Sequence, residues 1–251
     1  MKTYNKRVFF QDLGLIPYRE AWDYQESLFD RIVSQKQKNR SKNEAMPTDN
    51  YLLFCEHPHV YTLGKSGKDS NLLINEEFLK SKGASLFRIN RGGDITYHGP
   101  GQLVAYPILD LDNFKISIKD YIAMLEEVVI ATLSEFGISA GRLEGATGVW
   151  LDPDNNVRAR KICAIGVRTS HWVSMHGFAL NLSTDLSFFE YIVPCGIAGK
   201  SVTSLETESG SRVDVDKVKV KLLNNFGGVF GMEITSEDDH GSFQHRFQDG
   251  N

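Results

Sequence analysis

Two residues of this sequence could form a nucleophile and its acid/base partner. Cys195 lies in the run Pro194-Cys195-Gly196, where a bend could expose the sulfur and aim backbone N–H groups at a developing oxyanion. Lys161 opens the apolar run Lys161-Ile162-Cys163-Ala164-Ile165-Gly166. An ammonium group beside a thiol lowers the thiol pKa from its usual value of about 8.5 and can transfer protons. Together the two residues could carry an acyl group on sulfur.

Each of these residues also has an ordinary structural interpretation. A lone cysteine is more often a small buried hydrophobe than a nucleophile, and this describes Cys55 and Cys163, which have apolar neighbours. A lysine at the start of a strand is usually a surface residue. His98 and His176, each followed by glycine, offer another partner for a thiol, as in a hydrolase or a transglutaminase-like enzyme. From the residues alone, both pairings stay open.

A glycine-rich segment precedes both candidates in the chain. Its sequence is Arg91-Gly92-Gly93-Asp94-Ile95-Thr96-Tyr97-His98-Gly99-Pro100-Gly101-Gln102, and its low bulk lets the backbone approach a ligand closely. It follows a predicted strand without clearly opening a helix, and it lacks Gly-Lys-Ser/Thr, so neither the dinucleotide nor the phosphate-loop motif is present. We expect either a ligand-binding segment or a turn that joins two strands.

The composition is that of an ordinary globular protein. The 251 residues are 41% hydrophobic and 24% charged, and the formal net charge of −4 gives no reason to expect nucleic-acid binding. We predict one catalytic domain over residues 1–236 and a polar, flexible tail over residues 237–251. No apolar run suits a membrane span, and the first residues do not resemble a secretory signal. Three widely spaced cysteines indicate no disulfide framework, no metal site and a reducing cytoplasm.

The apolar pattern predicts strands and helices without strict alternation. The predicted strands cover residues 8–13, 51–55, 60–63, 85–89, 103–109, 147–151, 161–169 and 173–181. The predicted helices cover residues 18–37 and 75–82, a segment capped by Ser117, and residues 184–191 and 215–226. Residues 36–50 are polar and charged, and we predict an exposed loop there. The predicted fold class is therefore α+β, a mixed β-sheet flanked by helices.

Four runs occur together in an order that resembles the lipoyl(octanoyl) transferase family. They are Arg91-Gly92-Gly93-x-x-Thr96-Tyr97-His98-Gly99-Pro100-Gly101-Gln102-Leu103-Val104-x-Tyr106-Pro107, Lys161-Ile162-x-x-Ile165-Gly166-Val167-Arg168, His176-Gly177-Phe178-Ala179-Leu180-Asn181 and Pro194-Cys195-Gly196. The resemblance extends from about residue 51 to about residue 204. Ala164 is one departure, because many members of that family have serine there.

The resemblance implies a fold shared with the catalytic domains of biotin and lipoate ligases. It implies that Cys195 is the acyl-carrying nucleophile, that Lys161 is its acid/base partner, and that no cofactor is needed. It also implies three substrate-binding segments. Their residues are Arg91, Gly92, Gly93, Asp94, Ile95, Thr96, Tyr97 and His98, then Ala164, Ile165 and Gly166, and finally Gly177, Phe178 and Ala179.

The implied reaction is the first step of endogenous protein lipoylation. An octanoyl group would pass from octanoyl-acyl carrier protein to Cys195 as a thioester. It would then pass to a lysine of a lipoyl domain, either in a 2-oxoacid dehydrogenase complex or in the glycine cleavage H protein. Because acyl carrier proteins are acidic, we expect a local basic patch, with Arg142, Arg158, Arg160 and Arg168 as candidates.

Three other functions stay open from the sequence. An ATP-dependent lipoate or biotin-type protein ligase would share the fold but would need a nucleotide site and no nucleophilic thiol. A cysteine hydrolase would release free octanoate without any lipoyl domain. A binding module for carrier proteins would need no catalysis at all.

Overall fold

The computed structural model describes residues 4–193 and 200–236. Its strands are β1 (Arg7–Leu15), β2 (Tyr51–Glu56), β3 (Val60–Leu63), β4 (Ser85–Arg88), β5 (Ile95–His98), β6 (Gln102–Ile108), β7 (Gly141–Leu143), β8 (Ala146–Leu151), β9 (Arg160–Ser170), β10 (Val173–Asn181), β11 (Ser201–Val202) and β12 (Glu233–Ser236). Its α-helices are α1 (Tyr18–Lys42), α2 (Glu76–Ser81), α3 (Leu111–Phe114), α4 (Ile118–Ser134), α5 (Leu205–Ser209) and α6 (Val215–Phe230), and 3-10 helices cover Asp69–Asn71 and Leu186–Tyr191. The predicted bend at Cys195 and the predicted tail lie outside the described residues.

Two sheets organise the described part of the chain. The large sheet has the strand order β12-β1-β2-β6-β10-β9-β8-β7, and β11 pairs in parallel with β9. Strand β1 pairs in parallel with β12 and β2, whereas the pairs from β2 through β6, β10, β9 and β8 to β7 are antiparallel. The small sheet has the order β4-β3-β5. The prediction of a mixed β-sheet flanked by helices is confirmed.

Helices cover both faces of the large sheet. Strand β6 shows this by its alternation: Leu103 joins the core under α4 and α6, whereas Val104 joins the core under α1. Helix α4 begins at Ser117, whose hydroxyl accepts from the Asp120 N–H at 3.1 Å while the Asp120 carboxylate accepts from the Ser117 N–H. No helix in the described ranges is long and apolar enough to cross a membrane.

Helix α1 is longer than predicted, and the predicted exposed loop over residues 36–50 is wrong in its first part. The helix continues to Lys42, and Asn43 ends it with a left-handed conformation. Asn39 lies in the added part, where its side chain accepts from Nε2 of Gln35 at 2.9 Å and donates to the carbonyl of Met46 at 2.7 Å. These turns carry few apolar residues, so their sequence lacks the periodicity that would predict a helix.

Four short strands were not predicted from the sequence, and one of them is β7, which pairs with β8. Strand β5 lies inside the glycine-rich segment and pairs with β3, so this segment does join two strands of the small sheet. Strand β11 pairs with β9, and β12 pairs with β1 at the edge of the large sheet. Each has at most four residues. So short a segment gives too few alternating positions to be recognised.

The aromatic core under α6 allows a test of the fold. Phe226 is fully buried, and its ring stacks on Phe178 at 5.9 Å and on Phe230 at 5.8 Å between centroids. Phe226→Ala is expected to lower the free energy of unfolding by about 3–5 kcal/mol, because it leaves a cavity in this core. Val220→Ala on the exposed face of the same helix should change it by less than about 0.5 kcal/mol. Urea denaturation of both variants measures the difference, and equal effects would contradict the packing described.

Candidate active site

A cavity of about 380 Å³ lies where the glycine-rich segment and β5 face β9 and β10. The glycine-rich segment and β5 form one wall, β9 and β10 form another, and residues 200–202 add a further part. The lining is mostly apolar, and the volume falls in the range of small-molecule binding sites. The walls thus come from the segments that the sequence motifs single out.

The wall formed by β9 and β10 leaves room because its side chains are small. The paired residues are Ala164 with Ala179 and Gly166 with Gly177. A methyl group at position 166 would lie 3.0 Å from Cδ of Arg91. The Gly92 N–H donates to the carbonyl of Val167 at 2.9 Å. The glycine-rich backbone therefore lies directly against β9, and a side chain on Gly166 would push it away.

Most of the residues that the sequence indicated for substrate binding line this cavity. They are Arg91, Gly92, Gly93, Ile95, Thr96, His98, Ala164, Ile165, Gly166, Gly177, Phe178 and Ala179. Asp94 and Tyr97 are not part of the lining. The Asp94 carboxylate accepts from the Ile95 N–H at 2.7 Å, and the Tyr97 hydroxyl pairs with Nδ1 of His59 at 2.7 Å. Both side chains therefore stabilise the glycine-rich segment.

Lys161 lies at the cavity wall on β9, with its side chain half-buried. Its Nζ donates to the carbonyl of Thr147 at 3.1 Å and lies 4.7 Å from the centre of the Trp150 ring. An ammonium group over an aromatic face is attracted by the electrons of the ring. These contacts fix the charged end of Lys161 beside the cavity, where it could act on a bound substrate.

The backbone beside Lys161 requires glycine. Gly148 has a φ of +122°, and a methyl group there would lie 2.5 Å from the carbonyl oxygen of Cys163 and 3.4 Å from Cε of Lys161. The Gly148 N–H donates to the carboxylate of Glu126 at 3.0 Å. The missing side chain leaves room for the lysine stem, and Glu126 holds the strand in place from helix α4.

The two described cysteines are buried and poorly suited to nucleophilic attack. Burial raises the pKa of the Cys55 thiol well above its usual value. Burial also raises the pKa of the Cys163 thiol, and the positive charge of Lys161 offsets this only in part. Neither lines the cavity. The interpretation of both as small buried hydrophobes is confirmed.

Cys195 lies outside the described residues, but the described residues before and after it are held in place. The Val193 N–H donates to the carbonyl of Asn71 at 2.8 Å. On the other side, Val202 pairs with Lys161 between β11 and β9, and Lys200 lines the cavity. The chain therefore resumes, five residues after Cys195, at the wall that carries Lys161.

His98 and His176 both line the cavity but are weak bases there. Burial is the main cause that lowers the pKa of each to about 3, and the nearby charge of Arg91 lowers both further. Nδ1 of His98 contacts Oε1 of Gln102 at 2.7 Å, and Nε2 of His176 contacts Oδ1 of Asn90 at 3.0 Å. A group with so low a pKa takes a proton from a thiol inefficiently at neutral pH. This argues against the cysteine–histidine pairing.

Three of the four arginines considered for a basic docking patch form ion pairs within the described structure. The pairs are Arg142 with Glu126 and Glu127, Arg160 with Asp152 and Glu208, and Arg168 with Glu26. The neighbouring carboxylates offset these charges. A patch that attracts an acidic partner is therefore not formed by these three side chains alone.

Several residues that line the cavity were not predicted from the sequence to be part of a site. Tyr18 comes from the start of α1, Val104 and Tyr106 come from β6, and Trp150 comes from β8. Val104 and Tyr106 lie within the longest motif, but residues of an apolar strand look like ordinary core. No feature of the local sequence predicts that Tyr18 lines the cavity, because its position depends on how the start of α1 packs.

Known proteins resemble this chain in sequence over most of its length. The sequence matches the family described as the lipoyl protein ligase A/B catalytic domain over residues 17–227. An octanoyltransferase of Flavobacterium johnsoniae is 58% identical over 231 residues, which cover 92% of this chain and 99% of that protein. An octanoyltransferase of Cytophaga hutchinsonii is 54% identical over 235 residues, which cover 93% of this chain and 96% of that protein.

Solved structures agree on the fold. A lipoate-protein ligase A bound with ATP superimposes with a TM-score of 0.66 at 16% identity, covering 92% of this chain and 88% of that one. A bipartite lipoate protein ligase of Thermoplasma acidophilum gives a TM-score of 0.64 at 17% identity, covering 93% of this chain and 87% of that one. At such identities the likeness concerns the fold alone. The expected lipoate-ligase fold is confirmed.

The buried histidines predict a loss of stability in mild acid. Burial lowers the pKa of His57 to about 4 and those of His98 and His176 to about 3, against about 6.5 in an unfolded chain. Below pH 6.5 the unfolded state therefore binds protons that the native state does not. The free energy of unfolding should fall by up to about 1.4 kcal/mol per pH unit for each histidine. Urea denaturation at pH 7 and pH 5 measures this, and equal stability at both would contradict it.

Proposed function

The chain belongs to the lipoyl protein ligase A/B catalytic-domain family, and from this premise we propose that it is an octanoyltransferase. It transfers an octanoyl group from acyl carrier protein to a lysine of lipoyl domains, through a thioester on Cys195. This is the first step of endogenous protein lipoylation. The observation that carries the proposal is the fixed ammonium group of Lys161 at the wall of a mostly apolar cavity.

The cavity supports an acyl substrate. Small residues on β9 and β10 leave a slot against the glycine-rich segment, and a saturated chain gains roughly 0.8 kcal/mol for each CH₂ that it buries there. The thioester end would lie at Lys161, next to the wall of residues 200–202.

In the first half-reaction Cys195 takes the acyl group. Its thiolate attacks the carbonyl carbon of the octanoyl thioester, so a carbon–sulfur bond to Cys195 forms. The bond to the pantetheine sulfur then breaks, and the ammonium of Lys161 gives that sulfur its proton. One thioester replaces another, so the step is nearly balanced in energy and needs no ATP.

In the second half-reaction the acyl group moves to nitrogen. The lysine amine of the lipoyl domain attacks the thioester carbonyl, and neutral Lys161 accepts the proton that this nitrogen loses. A carbon–nitrogen bond forms as the bond to the Cys195 sulfur breaks and the thiolate is regenerated. The conversion of a thioester to an amide is downhill, so this half-reaction draws the cycle forward.

The setting of the reaction belongs to the same proposal. The catalytic domain is residues 1–236, the enzyme acts in the cytoplasm, and no cofactor takes part. The donor is octanoyl-acyl carrier protein. The acceptors are the lipoyl domains of 2-oxoacid dehydrogenase complexes and the glycine cleavage H protein. Asp94 and Tyr97 support the substrate indirectly, through the shape of the glycine-rich segment.

The thioester intermediate can be tested directly. Incubation with octanoyl-acyl carrier protein without ATP is expected to give an octanoyl adduct that survives denaturation and is released by hydroxylamine. Cys195→Ala should abolish the adduct and the transfer, whereas Cys163→Ala should keep both, because that thiol lies outside the cavity. Mass spectrometry of the intact protein measures the adduct. Transfer that requires ATP would indicate a ligase, and release of free octanoate without a lipoyl domain would indicate a hydrolase.

The role of Lys161 in proton transfer can be tested separately. Lys161→Arg keeps the charge but removes the transferable proton, so the transfer rate should fall by about a hundredfold or more. Lys200→Arg is the matched control, because Lys200 lines the same cavity while its Nζ binds the carbonyl of Asn156. Its rate should change little. Steady-state transfer to a lipoyl domain measures both, and a parent-like rate for Lys161→Arg would rule out the proposed proton shuttle.

A further inference from the structure

Buried hydrogen bonds connect the glycine-rich segment to strand β11 behind the cavity wall. Nδ1 of His98 and Oε1 of Gln102 lie 2.7 Å apart. Nε2 of Gln102 donates to Oδ1 of Asn181 at 2.9 Å, and Nδ2 of Asn181 donates to the carbonyl of Thr203 at 2.9 Å. Gln102, Asn181 and Thr203 are each no more than 4% exposed and lie outside the cavity lining.

The two ends of this connection fix the direction of every bond in it. A backbone carbonyl only accepts, so the amide nitrogen of Gln102 faces the carbonyl of Tyr97 at 3.2 Å, and that of Asn181 faces the carbonyl of Thr203. Oε1 of Gln102 is left to face His98, so Nδ1 of His98 carries the proton. Burial lowers the pKa of His98 to about 3, which keeps the ring neutral in this tautomer.

Thr203 joins this network to the strand that carries Lys161. Its N–H donates to the carbonyl of Lys161 at 2.9 Å, and its hydroxyl donates to Glu208 at 2.5 Å. Glu208 also binds the guanidinium of Arg160, the residue before Lys161. Residues 200–202, which directly precede Thr203, line the cavity. The network therefore ends at the wall where the charged lysine lies.

We infer that Gln102 and Asn181 are positioning residues for acyl transfer, an inference that rests on the function proposed above. They hold Thr203, and through it strand β11 and the wall beside Lys161, in a fixed relation to the glycine-rich segment. They act through neighbouring residues and do not line the cavity. Their effect on the rate is large because a displacement of about 1 Å at reacting groups costs up to about a hundredfold.

Asn181→Asp tests this role. The new side chain keeps the size of asparagine and can still accept from Gln102, but when ionised it has no donor for the carbonyl of Thr203. When protonated, it can donate again. We expect kcat for octanoyl transfer to fall about tenfold to a hundredfold at pH 8.5 and to recover towards pH 6, with little change in KM for the carrier protein. At pH 8.5 the backbone amides of residues 201–203 should exchange hydrogen faster than in the parent protein at the same pH, and this difference should shrink towards pH 6.

Asn50→Asp is the matched control. Asn50 is fully buried, and its Nδ2 donates to the carbonyls of Asn5 at 2.9 Å and Arg7 at 3.1 Å, outside the cavity lining. It should lower the melting temperature as Asn181→Asp does. It should leave kcat, the pH profile and the exchange at residues 201–203 unchanged. If Asn181→Asp does not fold, Gln102→Glu removes the donor to Asn181 and serves in its place.

The outcomes separate this inference from the proposed function. Equal transfer rates for Asn181→Asp and Asn50→Asp at each pH would overturn the positioning role, even if exchange increased. A defect in Asn181→Asp that recovers in acid, together with raised exchange at residues 201–203, would support it. A parent protein that forms no octanoyl adduct would refute the proposed function instead. In that case the connection to β11 would still be refuted if the backbone amides of residues 201–203 exchanged hydrogen at the same rate in Asn181→Asp as in the parent protein.

Discussion

The close approach of the glycine-rich backbone to strand β9 is the constraint on which the rest of the structure depends. A hydrogen bond from the Gly92 N–H to the carbonyl of Val167 joins the glycine-rich segment to strand β9 of the large sheet. The missing side chain of Gly166 favours this approach, because a methyl group there would crowd Cδ of Arg91 at 3.0 Å and the carbonyl oxygen of Gly92 at 3.1 Å. Where the two sheets meet, the small residues of β9 and β10 leave a slot in place of a filled core. The cavity is thus a product of the fold and of missing side-chain volume.

Burial decides which groups at this slot carry charge. His98 and His176 are held neutral because burial lowers the pKa of each to about 3, so the imidazoles contribute hydrogen bonds and no net charge. Arg91 and Lys161 supply positive charge at the wall. Side-chain amides and hydroxyls connect the parts behind the wall, and such groups can be buried in hydrogen-bonded networks without the cost of desolvating an ion. The arrangement favours a reaction in which negative charge develops on sulfur or oxygen.

Much of this fold could be predicted from the sequence, because its long elements carry a clear pattern. Strands β3 and β10 have the predicted bounds, and α4 begins at the predicted cap, Ser117. The end of α1 was missed because its last residues are polar and are held by side-chain hydrogen bonds such as that of Asn39 to the carbonyl of Met46, which leave no apolar periodicity. Strands β11 and β12 were missed because their partners lie far away in the sequence.

The candidate site was predictable to the extent that its residues lie in motifs. The motifs indicated Lys161 and twelve other residues of the cavity lining, but not Tyr18, whose position depends on how α1 packs. They also did not separate residues that line the cavity from residues that shape the segment. Tyr97 illustrates this, since it lies between two lining residues and its hydroxyl binds His59 instead. That distinction depends on which way each side chain points, and a sequence motif does not record it.

Gly148 limits the amino-acid substitutions that this enzyme tolerates in strand β8. Its position leaves no space for even one extra carbon, since that atom would collide with the carbonyl of Cys163 beside the stem of Lys161. A mutational survey scored only by loss of function would therefore rank this glycine with the reacting groups. Its contribution is steric and conformational, because its φ is +122°. An engineer who wished to redesign the neighbourhood of the ammonium would have to rebuild strand β8 first.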